Sequence, residues 1–342
     1  MNIKWYLSDS FACGHVRGEV VAREINKDAG TSRMDCKNSV LISDYPGTHV
    51  MVFQRQHSEA ILEKMRLAKR QGILTVYEID DDLFNTPKDF IEPYKFYANP
   101  EVSGNITKFI NEVDIVTAST QYLAEHMHKR APNTPIFVVE NYLDVDMWMR
   151  AYAEKQTIDT DKITIGWMAS GSHAIDAPLV MDALLKIMKE YDHVNLHLIG
   201  WVGWKQLGKE FKPFKDRIVT EKWIDVNILP QYMKDFDIGL APLVDNEFNR
   251  SKSAIKAYQY WALSVPAVCS DLHPYRGIIE NDVNGFLVKS KDGWYDSLKS
   301  LIDNDKKRRL MGAHGRKKLL MEYDIKNNTG RWISTFLKAI NM

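Results

Sequence analysis

Short apolar runs alternate with longer amphipathic runs along most of the chain. In the first half, the strand-like runs cover residues 3–7, 40–43, 50–53, 74–79, 115–118 and 136–139. Most of them are continuously apolar, as expected for strands that are buried on both faces of a sheet. Residues 59–71 place Ile61, Met65 and Ala68 at helical spacing, and Gly72 follows as a C-cap. This alternation predicts a parallel sheet with crossover helices.

The pattern then starts again after a polar, irregular stretch over 142–160, which reads as a linker. The later strand-like runs cover residues 163–168, 196–199, 218–220, 238–242, 267–270 and 286–288, and a helix is predicted over 178–191. The pattern therefore predicts an α/β protein with two Rossmann-like domains that face a cleft. We place the domains at 1–150 and 160–324, and we expect ligands beyond the carboxyl ends of the strands.

Composition excludes several classes of protein. No apolar run reaches the roughly 18 residues that span a bilayer, and the N-terminus lacks the features of a signal peptide. Three scattered cysteines, Cys13, Cys36 and Cys269, favour a reducing, cytoplasmic compartment. The formal net charge of +0 gives no whole-molecule attraction to nucleic acid or anionic lipid. A basic helix face over 63–70 could still meet phosphate or lipid, although a solvated face is the more frequent role.

The strongest chemical signal is the stretch 246–271, which predicts a polar loop, a helix over 253–263, a turn and a strand. Either Ser251 or Ser253 can cap this helix. The N-terminus of a helix offers unpaired N–H groups and positive potential, which suit a diphosphate. Three cations add charge at the same end: Arg250, Lys252 and Lys256. The alternative interpretation is an ordinary solvated start of a basic helix.

This stretch resembles retaining GT-B glycosyltransferases, broadly those of glycosyltransferase family 4. The similarity lies in the order Lys252-Ser253, Lys256, Gln259-Tyr260 and then residues 262–270, which correspond to the family's small-x-Pro-Val-x-Ser element. In that family the loop and the helix start hold the donor diphosphate, and a glutamate binds the nucleotide ribose. This chain has Gln259 at the glutamate position. A glutamine amide still accepts a hydroxyl hydrogen bond, but without charge the bond is weaker.

Other segments fit the same family in order along the chain. The turn with Gly171, Ser172 and His173 corresponds to one that faces the donor phosphates or sugar, although a loop histidine is often only solvated. The resemblance implies that Trp223 cups the nucleotide base, with a core position as the alternative. In the first half, a glycine-containing loop implies a place near the transferred sugar and the acceptor for Gly14, His15 and Arg17. The final helix, within 325–342, is expected to pack back on the first domain.

The apolar run 74–79 ends in three consecutive carboxylates: Asp80, Asp81 and Asp82. Their mutual repulsion is costly, so a partner is expected. One interpretation is the Asp-x-Asp site of a GT-A glycosyltransferase, which holds Mg²⁺ or Mn²⁺. A second makes them capping and solvated residues. We favour the one that the resemblance implies, in which Asp80 or Asp81 accepts hydroxyls of the sugar or acceptor and Asp82 belongs to the same site.

The resemblance implies that the chain transfers a hexosyl or pentosyl group from a nucleoside diphosphate sugar with retention at the anomeric carbon. Asp80, Asp81, Lys252 and Lys256 are the candidate catalytic residues, and no metal or other cofactor is expected because side-chain cations can stabilise the leaving diphosphate. The acceptor stays open among a glycan, a lipid-linked glycan, a protein and a modified DNA base. Alternatives are a non-catalytic binding or scaffold protein of the same fold, and a sugar-phosphate epimerase.

Overall fold

The computed structural model describes residues 1–9, 12–29, 32–35, 47–155, 161–169, 171–173, 175–200 and 207–342. The predicted strand over 40–43 lies outside these residues. The chain separates into two compact units. Unit 1 comprises Met1–Asp144, Arg250–Ser253 and Asp324–Met342, and unit 2 comprises Val145–Asn249 and Ala254–Tyr323. The short stretch Arg250–Ser253 therefore belongs with the first unit although it lies between two parts of the second.

Unit 1 is built on a parallel sheet in which the described strands run in the order β2-β1-β3-β4-β5-β6. The strands are β1 Ile3–Leu7, β2 Ser32–Asp35, β3 Val50–Gln54, β4 Leu74–Ile79, β5 Ile115–Ala118 and β6 Ile136–Val138. The order reverses between β1 and β3. Ligands of open α/β sheets bind beyond the carboxyl ends of strands at such a switch point, so the loops after these two strands are the first place to look for a site.

The helices of unit 1 follow the strands as crossovers. They are Ala12–Gly14, Val20–Ala29, Glu59–Arg70, Ile91–Tyr97, Pro100–Glu112, Gln121–Arg130 and Thr329–Ile340, with a π-helical turn at His15–Glu19 and 3₁₀ turns at Leu83–Asn85 and Ile325–Asn327. Helix Glu59–Arg70 begins where the Ser58 side chain accepts a hydrogen bond from Ile61 N, and Gly72 follows it at a φ of 74°. Glycine adopts this left-handed conformation without the steric cost of a Cβ, so it ends the helix.

Aromatic side chains join the end of the chain to its beginning. Trp332, on helix Thr329–Ile340, packs edge-on against Trp5 of β1 with ring centroids 5.4 Å apart, and Phe336 lies 6.2 Å from the same ring. All three side chains are fully buried. Helix Thr329–Ile340 is thus part of unit 1 because its apolar face covers the sheet.

Unit 2 has a second parallel sheet, with its described strands in the order β12-β11-β10-β7-β8-β9. The strands are β7 Ile163–Ala169, β8 Val194–Gly200, β9 Ile218–Glu221, β10 Ile238–Ala241, β11 Ala267–Ser270 and β12 Gly285–Val288. Read from β9, this is the 3-2-1-4-5-6 order of a dinucleotide-binding fold, with its switch point between β7 and β10. The predicted α/β class with two Rossmann-like domains is confirmed. A GT-A architecture would leave this second sheet unexplained.

The helices of unit 2 cover its sheet. They are Asp146–Lys155, Met181–Glu190, Leu229–Met233, Glu247–Ser251, Ile255–Ala262, His273–Arg276, Lys291–Ile302 and Asp305–Lys318, with 3₁₀ turns at Gly171–His173, Ala177–Leu179 and Lys209–Arg217 and a π-helical turn at Leu319–Tyr323. Helix Glu247–Ser251 ends in the stretch that belongs to unit 1. Among the described helices, none has the length and apolarity that crossing a membrane requires.

Two local predictions need correction. The stretch 142–160 was predicted to be an irregular linker, but Asp146–Lys155 is a helix because Trp148 and Ala151, three residues apart, turn into the core. The helix predicted over 253–263 is shorter, Ile255–Ala262, and Ala254 occupies its N-cap without a side-chain hydrogen bond. Neither Ser251 nor Ser253 caps it.

Candidate active site

The three carboxylates after β4 differ in the side chains that they contact. Arg55 Nε lies 3.5 Å from Asp80 Oδ1, and Arg55 Nη2 lies 3.6 Å from Asp81 Oδ2. Lys252 Nζ lies 3.5 Å from Asp81 Oδ1. These cations supply the partner that the sequence required, since uncompensated carboxylates in series would repel each other.

Asp82 turns away from this cluster into the core of unit 1, where it is 0% exposed. Its Oδ2 lies 2.7 Å from His126 Nδ1 and accepts a hydrogen bond of 2.7 Å from Asn85 Nδ2. Asp82 also precedes the turn Leu83–Asn85 without capping it through its side chain. Asp82 therefore orients local structure, and only Asp80 and Asp81 share the Arg55 cluster.

Arg55 is a site residue that sequence reasoning missed. It follows β3, its backbone N donates to Glu78 O at 3.0 Å, and its φ is 51°. A non-glycine residue in the left-handed region costs energy, and such residues concentrate at functional sites. The available signal was position, because Arg55 directly follows a strand that borders the switch point of unit 1.

Cys13 lies beside the carboxylates. Its Sγ and one oxygen each of Asp80 and Asp81 fall within 4.8 Å of one another, which is a spacing that a metal ion could use. Burial raises the pKa of the Cys13 thiol well above its usual value, and burial also raises the pKa of Asp80 against the opposing charge of Arg55. A metal ligand must be deprotonated, and two side-chain cations already pair with these carboxylates. The donor set therefore fits a metal poorly.

The predicted glycine-containing loop is helical at the described residues, which form the turns Ala12–Gly14 and His15–Glu19, and their contacts are mainly structural. Gly14 packs so closely that a Cβ would fall 2.0 Å from Asp9 O. His15 is buried, with Nδ1 3.0 Å from Glu19 Oε2. Arg17 is also buried, and it donates to Glu78 Oε1 at 2.7 Å and to the 139–141 stretch through Nη1. Arg17 therefore ties β4 to residues 139–141, and its place near the sugar and acceptor stays a prediction.

At least three contacts hold the segment Arg250–Ser253 on unit 1. Thr120 Oγ1 donates to Ser251 O at 2.9 Å, and Asn141 Nδ2 donates to Ser253 Oγ at 2.7 Å. The third contact is the ion pair of Lys252 with Asp81. Arg250 is half-buried at the start of the segment. These contacts orient a cation-rich stretch that leads directly into the next helix.

Helix Ile255–Ala262, here called the donor helix, carries two further predicted residues. Lys256 Nζ lies 3.5 Å from Met168 Sδ, at the end of β7. Gln259 is 6% exposed, and its Oε1 has no hydrogen-bond partner among the described residues. A buried acceptor without a partner costs about 1–3 kcal/mol. The amide oxygen of Gln259 is therefore suited to accept a hydrogen bond from a ligand.

A buried polar network occupies the switch point of unit 2. His173 Nδ1 lies 2.8 Å from Asp176 Oδ2, whose Oδ1 accepts from Val244 N at 2.7 Å and from Asn249 Nδ2 at 3.0 Å. This network ties the turn after β7 to the loop after β10. Sequence reasoning named His173 but missed Asp176 and Asn249. Asp176 lies three residues after His173, and Asn249 lies six residues before the start of the donor helix.

The remaining predicted residues lie at strand ends of unit 2. Gly171 opens the turn after β7 and is half-buried, whereas the side chain of Ser172 lies outside the described part of the chain. Trp223 follows β9 and is 56% exposed, so it is not a core residue. An indole held at the surface beyond the carboxyl end of a strand can stack on a planar ring.

Known proteins resemble this chain in sequence over part of its length and in fold over nearly all of it. The model of the family "Glycosyl transferases group 1" matches residues 163–304. A sequence search finds no significant match to a curated protein. The solved structures that share the fold include Anabaena Alr3699/HepE, a glycosyltransferase and a sucrose-phosphate synthase. Anabaena Alr3699/HepE in complex with UDP-glucose has 13% identity and a TM-score of 0.71, covering 99% of this chain and 100% of that one.

The second is a glycosyltransferase from Rickettsia africae ESF-5, with 12% identity, a TM-score of 0.69 and coverage of 99% and 98%. The third is the sucrose-phosphate synthase of Thermosynechococcus elongatus, with 9% identity, a TM-score of 0.66 and coverage of 99% and 100%. The two parallel sheets and these likenesses identify the GT-B fold, and the group 1 match indicates that the enzyme class is that of the glycosyltransferases.

Proposed function

We propose that the protein transfers a sugar from a nucleoside diphosphate sugar to an acceptor hydroxyl, with retention at the anomeric carbon, as glycosyltransferases of family 4 do. In this proposal unit 2 binds the donor nucleotide. The donor helix and the segment before it bind the diphosphate. The carboxylate cluster of unit 1 contacts sugar or acceptor hydroxyls. Neither a metal nor another cofactor takes part.

The observation that carries the proposal is the amide oxygen of Gln259. It is a buried acceptor without a partner in the described residues, on the helix face where relatives of the proposed family have the ribose-binding glutamate. A ribose hydroxyl would supply the missing donor and offset the cost of burial. The neutral amide predicts a weaker bond to ribose than a carboxylate would make.

The base and the phosphates have separate partners in this proposal. Trp223, exposed after β9, stacks on the base. Three cations, Arg250, Lys252 and Lys256, neutralise the charge of the diphosphate. Ser253, the N–H groups at the start of the donor helix and the turn of Gly171, Ser172 and His173 donate hydrogen bonds to it. Anabaena HepE has been solved in complex with UDP and with UDP-glucose, which supports UDP as the first nucleotide to test.

Chemistry then depends on leaving-group stabilisation. As the bond from the anomeric carbon to the diphosphate breaks, negative charge grows on the phosphate oxygens and positive charge grows on the sugar ring. The ammonium groups of the lysines stabilise the negative charge on the phosphate oxygens. The carboxylate of Asp81 stabilises the positive charge on the sugar ring. Lys252 lies 3.5 Å from Asp81. A cation that would bind the phosphates and a carboxylate that would face the sugar are therefore already paired within unit 1.

The experiment is a panel of UDP-, GDP-, ADP- and dTDP-sugars, with thermal shift as the binding readout and release of the nucleoside diphosphate as the chemical one. We expect the sugars of one nucleotide to raise the melting temperature of the protein. The same nucleotide sugar should be hydrolysed slowly to the nucleoside diphosphate when no acceptor is present. Once an acceptor glycoside is found, the anomeric configuration of the product is compared with that of the donor sugar, and equal configurations indicate retention. A protein that binds no member of the panel would refute the proposal and favour a scaffold role.

A further inference from the structure

Helix Ile91–Tyr97, here called the aromatic helix, has no buried residue although it is rich in large apolar side chains. Phe96 is 42% exposed and Ile91 is 57% exposed. A large aromatic ring exposed on a helix that buries none of its side chains can contact a ligand. The aromatic helix comes shortly after Asp80 and Asp81, so its position relative to the carboxylate cluster is informative.

Ring contacts connect the aromatic helix to that cluster within unit 1. Phe96 lies edge-on to His57 with centroids 4.9 Å apart, and edge-on to Tyr97 at 5.1 Å. The Arg55 guanidinium lies 5.9 Å from the centroid of the Tyr97 ring, within the range of a cation–π contact. Phe96, Tyr97 and Arg55 therefore form a continuous path from an exposed ring to the buried carboxylates.

Two buried polar atoms at the end of this path have unused hydrogen-bonding capacity. Arg55 Nε and Asp80 Oδ1 make no hydrogen bond among the residues that the structure describes, and both residues are more than nine-tenths buried. The two atoms lie 3.5 Å apart, which exceeds the 2.7–3.2 Å typical of an N–H···O hydrogen bond. A hydroxyl group could satisfy both, because it accepts from the guanidinium and donates to the carboxylate.

We propose that Phe96, Tyr97, Arg55 and Asp80 form a subsite for one sugar ring of a carbohydrate acceptor. The apolar C–H face of a pyranose packs on the aromatic rings, and its hydroxyls take the free capacity of the Arg55–Asp80 pair. This inference rests on the proposed function and narrows its acceptor to a glycan. Asp80 would be the group that accepts a hydrogen bond from the acceptor.

Charge on the aromatic helix argues against the competing occupant, an anionic membrane. Residues 88–97 contain two basic side chains, Lys88 and Lys95, and two acidic ones, Asp89 and Glu92, so their net charge is 2 − 2 = 0. Lys95 Nζ lies 3.2 Å from Glu92 Oε1. Membrane-docking segments attract anionic lipids through clusters of basic residues, and this segment has no excess of them.

The test uses maltose, cellobiose, lactose and N,N′-diacetylchitobiose as probes, each with the full-length protein and saturating UDP, in saturation-transfer NMR. We expect at least one disaccharide to bind the wild type. Phe96→Ala should weaken that binding about tenfold, because it removes one aromatic contact. Phe96→Tyr, which keeps the ring, should retain binding within about twofold. Arg55→Lys, which keeps the charge but loses the planar fork, should weaken it.

Ile91→Ser is the matched control, because Ile91 is exposed on the same helix about 140° around the axis from Phe96. Disaccharide binding should be unchanged in this variant. A different result would assign the aromatic helix to a membrane and overturn the inference. In that result the wild type binds no disaccharide but co-sediments with phosphatidylglycerol vesicles, and Ile91→Ser loses the co-sedimentation. Calorimetry with UDP reports the proposed function separately. Normal UDP affinity without any disaccharide binding overturns the acceptor subsite alone, whereas failure to bind UDP or any other nucleotide overturns both.

Discussion

Lys252 Nζ lies 3.5 Å from Asp81 Oδ1, and both residues belong to unit 1. The lysine lies three residues before the start of the donor helix, and the carboxylate lies two residues after the end of β4. Each side chain is mostly buried, so water screens this pair less than an exposed one. A diphosphate that arrives at Lys252 would compete with Asp81 for the ammonium group, which links donor binding to the charge state of the carboxylate cluster.

Lys252→Ala and Lys256→Ala should each weaken UDP binding by about tenfold or more, because a charge-assisted hydrogen bond contributes roughly 1.5–3 kcal/mol. Isothermal calorimetry measures the effect. The control is Lys291→Ala, which removes an exposed lysine paired with Asp182 at 3.9 Å. Unchanged affinity in both test variants would remove these lysines from the donor site.

Gln259→Glu should keep or raise the affinity for UDP, and Gln259→Leu should lower it. A carboxylate accepts ribose hydroxyl hydrogen bonds with charge assistance, whereas leucine offers no acceptor. The control for packing is the free energy of unfolding of each variant. If leucine leaves UDP affinity unchanged while folding is intact, the ribose lies elsewhere.

Trp223→Ala should weaken binding of UDP but leave binding of pyrophosphate unchanged, because stacking acts on the base alone. Trp223 is more than half exposed, so its removal should not disturb the core. Competition titrations with both ligands give the two affinities. Equal losses for UDP and pyrophosphate would show that Trp223 does not contact the base.

Transfer activity should persist in EDTA. Arg55 and Lys252 already pair with Asp80 and Asp81, and burial keeps the pKa of the nearby Cys13 thiol high, so the group is a poor metal site. Donor hydrolysis after exhaustive chelation is the measurement, with Cys13→Ser as a companion variant that should retain activity. Loss of activity in EDTA with recovery on adding Mn²⁺ would make the cluster a metal site after all.

Stability should depend on pH through Glu78, which is 0% exposed and pairs with Arg17 at 2.7 Å. Burial raises the pKa of Glu78 to about 7, although Arg17 opposes the shift. The folded state therefore holds this proton at pH values where the unfolded chain, with a pKa of about 4.3, has released it. The stabilisation is complete below the unfolded pKa and disappears as the pH rises through 7.

Between pH 4.5 and 7, the free energy of unfolding should fall by up to about 3 kcal/mol more in the wild type than in Glu78→Gln. Urea titrations at several pH values measure it. Glu92→Gln, on an exposed side chain, should follow the wild type. Identical pH profiles for wild type and Glu78→Gln would show that the buried carboxyl stays ionised.

Local sequence pattern determined much of the architecture. Strands buried on both faces of a sheet form short runs rich in apolar residues, so β1, β4, β5 and β11 were predicted at their observed bounds. The edge strand β2, Ser32–Asp35, was missed because its polar residues carry no such run. The same pattern showed that Asp80 and Asp81 follow a strand, and it located the cationic stretch before the donor helix.

Only the tertiary structure decided which side chains meet. The sequence marks Arg55 only by its position after a strand, and the parallel register of β3 with β4 brings it to Asp80 and Asp81. Likewise, the carboxylates are alike in sequence, but Asp82 pairs with His126 in the core. Strand order and chain crossovers fix such long-range pairs, and no periodicity of neighbouring residues encodes them. The sequence therefore determined the elements and the chemistry they carry, and the fold determined the partners.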